Sequence, residues 1–204
     1  MAQRVGITQQ AVLDAAAKIA DTEGLEALSL TKVAAGLGIR TPSLYAHVRG
    51  LGDLHRRLAL AGVVRLTEEL RAATEGKSGR AALDAVADTY RSFALGHPGQ
   101  YRATLRDPGD DTELRAANQR ALDVFLDVLR GVGIAESELM HCYRAFWSAL
   151  HGFNALLATG VMSMPADVAM SYARVVDIFV AYVAQLSNTN DSAGTIPGSD
   201  DTEE

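Results

Sequence analysis

The sequence predicts an all-α protein of about nine helices, with an N-terminal helix-turn-helix domain ahead of a larger C-terminal helical body. Three observations carry that expectation. Apolar residues recur at three- and four-residue spacing through most of the chain, and no run alternates with a period of two. Ala, Leu and Val are abundant and only 5 prolines interrupt 204 residues, so helices meet little obstruction. Glycine-containing breaks fall between the periodic stretches, where turns belong.

Residues 1–7 read as a frayed arm. Thr8 offers an N-cap to a first helix with Val12, Leu13, Ala16, Ile19 and Ala20 on one face, ended by Gly24 in the position of a left-handed cap. Ser29 caps a second helix through Val33, Ala34 and Leu37 that stops at Gly38. A third begins at Thr41-Pro42, with Thr41 as N-cap, and ends near Gly50. A longer helix runs from Asp53 to about Thr74, and another from Arg80 to Leu95. A brief helical stretch around 101–105 follows the Gly96-His97-Pro98-Gly99 break. Three more helices are expected at about 112–131, 136–159 and 166–187. The resulting domain plan is 1–52, 53–187 and a disordered acidic tail over 188–204.

Composition bounds the function. At 48% hydrophobic and 22% charged, the chain is ordinary for a globular protein with a core. The net charge of -6 argues against general coating of nucleic acid, but it is uneven. Residues 1–60 hold seven Lys and Arg against five Asp and Glu, a net of +2, and the remainder carries -8. Cys142 is the only cysteine, which excludes an intrachain disulfide or thiolate cluster. The first residues lack the apolar stretch of a signal peptide, and no run reads as long and apolar enough to span a bilayer. A cytoplasmic protein without membrane contact is the expectation.

The informative stretch is Ser29 to Val48, SLTKVAAGLGIRTPSLYAHV. Two short helices flank a turn at Gly38, with the small Ala34 four residues earlier where a larger side chain would push them apart. Val33, Leu37, Ile39, Leu44 and Val48 supply the contacts that fix the crossing angle, as a helix-turn-helix requires. The second helix displays Arg40, Thr41, Ser43, Tyr45 and His47, which are donors and a planar ring suited to a major groove. At this level Tyr45 is either a DNA contact or a core aromatic, and His47 either a contact or a surface histidine.

Residues 8–58 resemble the N-terminal domain of the tetracycline-repressor (TetR) family, through AVLDAAAKIADTEGLEALSL, VAAGLGI, TPSLYAHV and Leu54. WSALHG, with Trp147, His151 and Gly152, is similar to the Trp-His-Gly signature of one C-terminal subfamily. The resemblance implies base contacts from Thr41, Pro42 and Ser43, and phosphate or sugar contacts from Tyr45 and His47. It implies phosphate and flanking-base contacts from Ser29, Thr31 and Lys32 at the start of the supporting helix. Lys32, Arg40 and Arg49 are the cations available to neutralise phosphates. The chain departs from the family at Leu51-Gly52-Asp53, where a phosphate-contacting lysine is common, so either affinity is modest or Arg49 and Arg4 supply the anchoring.

The resemblance also implies a homodimer on a palindromic double-stranded DNA operator, a small-molecule effector of unknown identity, and no cofactor. The helices about 136–159 and 166–187 are the expected dimer interface, as a four-helix bundle with two helices from each subunit. Ala145, Ala149, Gly152 and Leu156 form a small-residue stripe on the first. Val168, Tyr172, Val175, Val176, Phe179, Val183 and Leu186 form an apolar face on the second. Aromatic residues gather in the middle helices, so Tyr90, Phe93, Tyr101, Phe125, Tyr143, Arg144, Trp147 and His151 are candidate effector-pocket residues. An enzyme is disfavoured: Glu138–His141 is a single E-x-x-H where a di-iron bundle needs two, and no metal site or catalytic residue is expected.

Overall fold

The structure is a computed structural model that describes residues 7–193, with side chains through Leu186. Regular structure among the described residues is entirely helical: α1 (Gln9–Glu23), α2 (Leu30–Gly36), α3 (Thr41–Leu44), α4 (Leu51–Thr74), α5 (Gly79–Gly96), α6 (Pro98–Thr104), α7 (Thr112–Gly131), α8 (Leu139–Ala158) and α9 (Val168–Ala193). A 3-10 turn at Leu25–Ala27, not anticipated from the sequence, joins α1 to α2. The chain divides into two compact units. The first comprises residues 1–73 and 88–124, the second residues 74–87 and those from 125 onward.

In the first unit, Thr8 accepts the Ala11 N–H at 3.1 Å and starts α1 as expected. Val12, Ala16 and Ala20 turn inward onto Val33 and Ala34 of α2, Leu44 of α3 and Val48. The same core continues without a break into Leu54, Leu58, Ala59 and Val63 of α4, and into Leu114 and Ala117 of α7. The packing therefore has no seam near residue 52. The three short helices are stabilised by burial against α4 and α7, at about 1.5–3 kcal/mol for each large aliphatic side chain taken out of water.

In the second unit α8 packs on α9 through stacked Phe146 and Phe179, with ring centroids 4.3 Å apart, and through edge-on Phe153 and Tyr172 at 5.2 Å. The Tyr172 hydroxyl donates to the Ala87 carbonyl at 2.8 Å, which ties α9 to the first half of α5. Leu139, Cys142, Phe146, Leu150 and Asn154 form the buried stripe of α8.

Several expectations need correction. Arg40, not Thr41, is the N-cap of α3: its backbone is extended, its carbonyl accepts the Ser43 N–H, and no side chain caps the helix. Gly24 has the positive φ of a left-handed cap, but ψ of 151° takes it out of the left-handed helical region and sends the chain into the 3-10 turn. The helix expected at 136–159 starts only at Leu139, because Ala135 to Glu138 form a turn. The last helix runs to Ala193, into the segment expected to be tail, and residues 194–204 lie outside the described residues, as do Arg4 and most of the N-terminal arm.

The apolar face named on α9 is the unit's own core: Tyr172, Val176, Phe179 and Val183 are buried. What remains outward is a second apolar row of Met170, Ile178 and Tyr182. Because both faces are apolar, Val168–Leu186 is long and hydrophobic enough to cross a bilayer by length and composition, contrary to the sequence reading.

The four-residue α3 depends on Leu44, which is fully buried. Leu44→Ala is expected to destabilise the protein by roughly 2–5 kcal/mol, read as a lowered urea midpoint. A loss below about 1 kcal/mol would mean that Leu44 does not hold the motif together.

Candidate nucleic-acid interface

The turn between α2 and α3 is built by backbone geometry. Gly38 has φ +66°, and the Ile39 N–H donates to the Ala34 carbonyl at 3.0 Å, which turns the chain sharply after α2. Ser29 caps α2 by accepting the Lys32 N–H at 3.3 Å. After α3 the chain continues in hydrogen-bonded turns, with the His47 and Val48 N–H groups both donating to the Leu44 carbonyl. That geometry sorts the side chains. Leu44 and Val48 point into the core, while Pro42, Ser43 and Tyr45 point out.

Tyr45 is 59% exposed, which rejects the core-aromatic alternative. Arg40 and Thr31 are also exposed, and Ser29, Thr41 and His47 are half-buried. The residues singled out in the sequence are thus exposed or half-buried on α2, α3 and the turn that follows.

Two of the cations already have partners. Lys32 Nζ lies 2.6 Å from Glu23 Oε2, both side chains being about half exposed. The Arg49 guanidinium is 84% exposed and 3.7 Å from Asp53. The half-exposed Lys32–Glu23 pair contributes about 0–1 kcal/mol, whereas the Asp53 side chain beside Arg49 is only 7% exposed.

Asp53 explains the departure at Leu51-Gly52-Asp53. Its carboxylate is turned inward: Oδ2 accepts the Arg49 N–H at 3.0 Å and Arg57 Nε at 3.1 Å. Burial alone would raise its pKa. The Arg49 N–H and the Arg57 and Arg49 charges outweigh burial and hold it below the ordinary carboxylate value. The residue therefore locks the entry to α4 instead of presenting a negative charge outward, a role its place in the sequence did not reveal.

The expected pocket residues fall into two groups. In the first unit, Tyr90, Phe93 and Tyr101 are buried, and Tyr101 donates its hydroxyl to that of Tyr90 at 3.1 Å with the rings edge-on at 5.5 Å. Burial raises the Tyr101 pKa, opposed by the bond to Tyr90. In the second unit, Phe125, Tyr143, Trp147 and His151 form a continuous row, with successive ring centroids 5.4, 6.4 and 5.5 Å apart. Burial pushes the Tyr143 pKa up and that of His151 down, so His151 is neutral at physiological pH. Arg144 is exposed, and its charge opposes the rise of the Tyr143 pKa. Glu138 is half-buried and His141 exposed, and among the described residues no three His, Cys, Asp or Glu gather in a metal-binding cluster.

Sequence reasoning also missed two charged side chains in the first unit. Arg56 of α4 binds Asp111, and also Glu113 at 2.7 Å, at the start of α7. Asp21 of α1 reaches the start of α6. Both partners are far apart in sequence, so no local pattern marks them.

The outward face of α3 over a packed helical support defines a helix-turn-helix DNA-binding protein. The comparisons place that class more narrowly. The family profile described as "Tetracyclin repressor-like, C-terminal domain" matches residues 83–179. The helix-turn-helix-type transcriptional regulator YobS of Bacillus subtilis is 32% identical over 168 residues, covering 82% of this chain and 88% of that protein. A second helix-turn-helix-type transcriptional regulator, Rv0681 of Mycobacterium tuberculosis, is 35% identical over 164 residues, covering 79% and 75%. Among solved structures, a protein of unknown function from Rhodococcus sp. RHA1 superposes with a TM-score of 0.77 at 25% identity, covering 89% of this chain and 98% of that one. The chain belongs to the TetR family of transcriptional regulators; it is a DNA-binding regulator and not an enzyme.

Because the folded pKa of Asp53 is depressed, its contribution to stability is complete above the unfolded carboxylate pKa and is lost as pH falls through the folded value. Asp53→Asn is therefore expected to lose less stability than wild type between neutral pH and pH ~3, measured by urea denaturation across that range. Parallel pH profiles would show that Asp53 is not a stabilising charge.

Proposed function

We propose that the chain is a ligand-responsive repressor that binds a palindromic operator as a homodimer. Residues 1–52 supply the DNA-reading surface, and residues 53–187 supply effector recognition and dimerisation. The observation that carries the proposal is the outward face of α3, where Pro42, Ser43 and Tyr45 are exposed while Leu44 and Val48 are spent on the core.

In this reading Thr41, Pro42 and Ser43 meet base edges in the major groove. Tyr45 and His47 pack on sugar and phosphate. Ser29, Thr31, Lys32, Arg40 and Arg49 fix the register along the backbone. A single motif of this size makes too few contacts for useful specificity, and two copies reading half-sites about one helical turn apart remove that limit.

The dimer forms through α8 and α9. Ala145 and Leu156 are exposed, and Gly152 faces open space, so a second helix can approach α8 closely. On α9 the row of Met170, Ile178 and Tyr182 is apolar and outward, with Ile178 71% exposed. Large exposed apolar side chains in a row are what a self-complementary interface uses.

The effector is a small molecule, as the repressor description of the family model suggests. The aromatic row Phe125–Tyr143–Trp147–His151 is its candidate contact surface in the second unit, and Tyr90, Phe93 and Tyr101 are candidates in the first. Binding favours a conformation in which α4 moves and the two recognition surfaces lose register with the operator.

Electrophoretic shift of the DNA upstream of the protein's own coding sequence, at two salt concentrations, tests the DNA reading. Tyr45→Ala is expected to weaken the specific complex by about tenfold or more with an unchanged melting temperature, since the ring is exposed. If no preferred sequence emerges even from a selection over genomic fragments, sequence-specific recognition is refuted. For the dimer, Ile178→Glu is expected to shift the protein to monomer in sedimentation velocity. A dimer of unchanged affinity would move the interface elsewhere.

A further inference from the structure

Asn154 of α8 is a polar side chain that the second unit buries without answering its hydrogen bonds. Among the described residues the buried polar or charged side chains are Thr67, Gln100 and Asn154. Thr67 donates to the Val63 carbonyl at 2.7 Å, and Gln100 donates to Asp21 at 2.7 Å. Asn154 is 3% exposed, and neither its Oδ1 nor its Nδ2 has a hydrogen-bond partner in the chain. Leaving a buried donor and a buried acceptor unmade is costly, so a carboxamide in this setting calls for a partner from outside the chain.

The aromatic row of α8 lies on the same side of the helix. Trp147 and Asn154 are seven residues apart, about two turns, and Tyr143 and Asn154 are eleven apart, about three turns. These three side chains therefore leave α8 in nearly the same direction. The planes of Tyr143 and Trp147 are 23° apart and those of Trp147 and His151 12°, so the half-buried row presents near-parallel rings. All of these residues belong to one compact unit. Flat apolar walls with a single fixed polar group are what a small-molecule site is made of.

The polar group also selects the chemistry of its partner. A carboxamide offers an acceptor oxygen and an NH2 donor side by side. A carboxylate has acceptors only, so it would use Nδ2 and set its charge against Oδ1. An ammonium has donors only, so it would use Oδ1 and leave Nδ2 unmade. An amide, lactam or imide edge matches both atoms at once, with its N–H on Oδ1 and its carbonyl on Nδ2. The titratable neighbours supply no counter-ion: burial holds His151 neutral, Arg144 is exposed, and Asp177 is bound to Arg80 and Arg174. A buried ligand charge would go uncompensated here. We propose that Asn154 is the polar recognition residue of an effector site along this face of α8, and that the effector is an uncharged, flat molecule carrying an amide-like edge. This rests on the ligand-responsive reading above; it names the chemical class of the effector and the residue that selects it.

Trp147 is the only tryptophan of the chain, so its fluorescence reports on this face of α8. The full-length protein is titrated with benzamide, with N,N-dimethylbenzamide, which has no N–H, and with benzoate, which has acceptors and a charge but no donor. Wild type is expected to bind benzamide about tenfold or more tightly than either analogue, because a site built around a hydrogen bond rejects a ligand that cannot complete it. In Asn154→Leu, which removes both polar atoms at similar volume, that preference should shrink to within about twofold, with the urea midpoint unchanged or higher. Asn154→Asp keeps the shape and leaves acceptors only. Its preference should pass from benzamide to benzamidine, and it serves as the test should Asn154→Leu not fold. No binding of benzamide to wild type, an equal affinity for the three probes, or a preference that survives in Asn154→Leu overturns the proposal. The first of these would mean that buried water alone satisfies the side chain. Binding of the preferred duplex, measured on the same samples, tests the regulator reading separately. Absence of any preferred duplex removes that reading and leaves the pairing to be decided by the titrations; a preferred duplex without a benzamide preference removes the Asn154 assignment alone.

Discussion

A helix of four residues has no stability of its own, since the first turn fixes several residues for a single hydrogen bond. The α3 helix exists because Leu44 and Val48 are buried in a core shared with α1, α2, α4 and α7. Everything the outward face of α3 does follows from that constraint. With the apolar side chains committed inward, Pro42, Ser43 and Tyr45 have only the outer surface left to occupy. The turn before α3 adds the second half of the constraint, since Gly38 adopts a positive φ and the Ile39 N–H is returned to Ala34. Recognition geometry here is a by-product of core packing, which keeps a very short element at a fixed angle.

Charge around the motif is arranged on the same principle of local accounting. Lys32 and Glu23 meet directly but half exposed to solvent, where an ion pair holds its partner weakly. Asp53 is different: it is largely buried, accepts two donors and stays ionised. A carboxylate in the first turn of α4 sits at the favourable end of the helix dipole. The acid beside the helix-turn-helix thus has its charge taken up by Arg57 and the backbone instead of exposing it.

The fold class and the motif were legible because both are written in short-range patterns. Thr8 and Ser29 cap the helices that their positions imply, and helix α7 begins and ends where periodicity and the flanking glycine and proline breaks place it. Exposure was not legible: Tyr45 carries the same apolar ring whether it faces core or solvent, and only packing decides. Thr41 looked like a cap because threonine before proline usually is one, yet the extended residue is Arg40. The long-range bonds from Asp21 to Gly99 and from Arg56 to Asp111 leave no mark in a local window. Two ends of such a bond are ordinary surface residues until the chain has folded. The pocket residues suffered similarly, since a shared aromatic character grouped side chains that the fold divides between two compact units.

Helix α9 shows how a pattern is misread when an element has two apolar faces. The sequence showed one continuous apolar face and assigned it to a partner, but Tyr172, Val176, Phe179 and Val183 are needed by α8 and α5 of the same chain. Met170, Ile178 and Tyr182 are exposed, with the Tyr182 ring tilted against Phe179 at 6.5 Å. A helix apolar on both faces belongs either in a bilayer or between two protein layers. Arg174 and Asp177 decide between these. Both are charged and bonded to each other near the middle of the helix, and Asp177 also binds Arg80 of α5 at 2.8 Å. An ion network at mid-span suits an aqueous edge beside a protein interface and would be costly in hydrocarbon. The length and hydropathy of α9 therefore follow from an apolar face packed by its own chain together with an outward row of Met170, Ile178 and Tyr182.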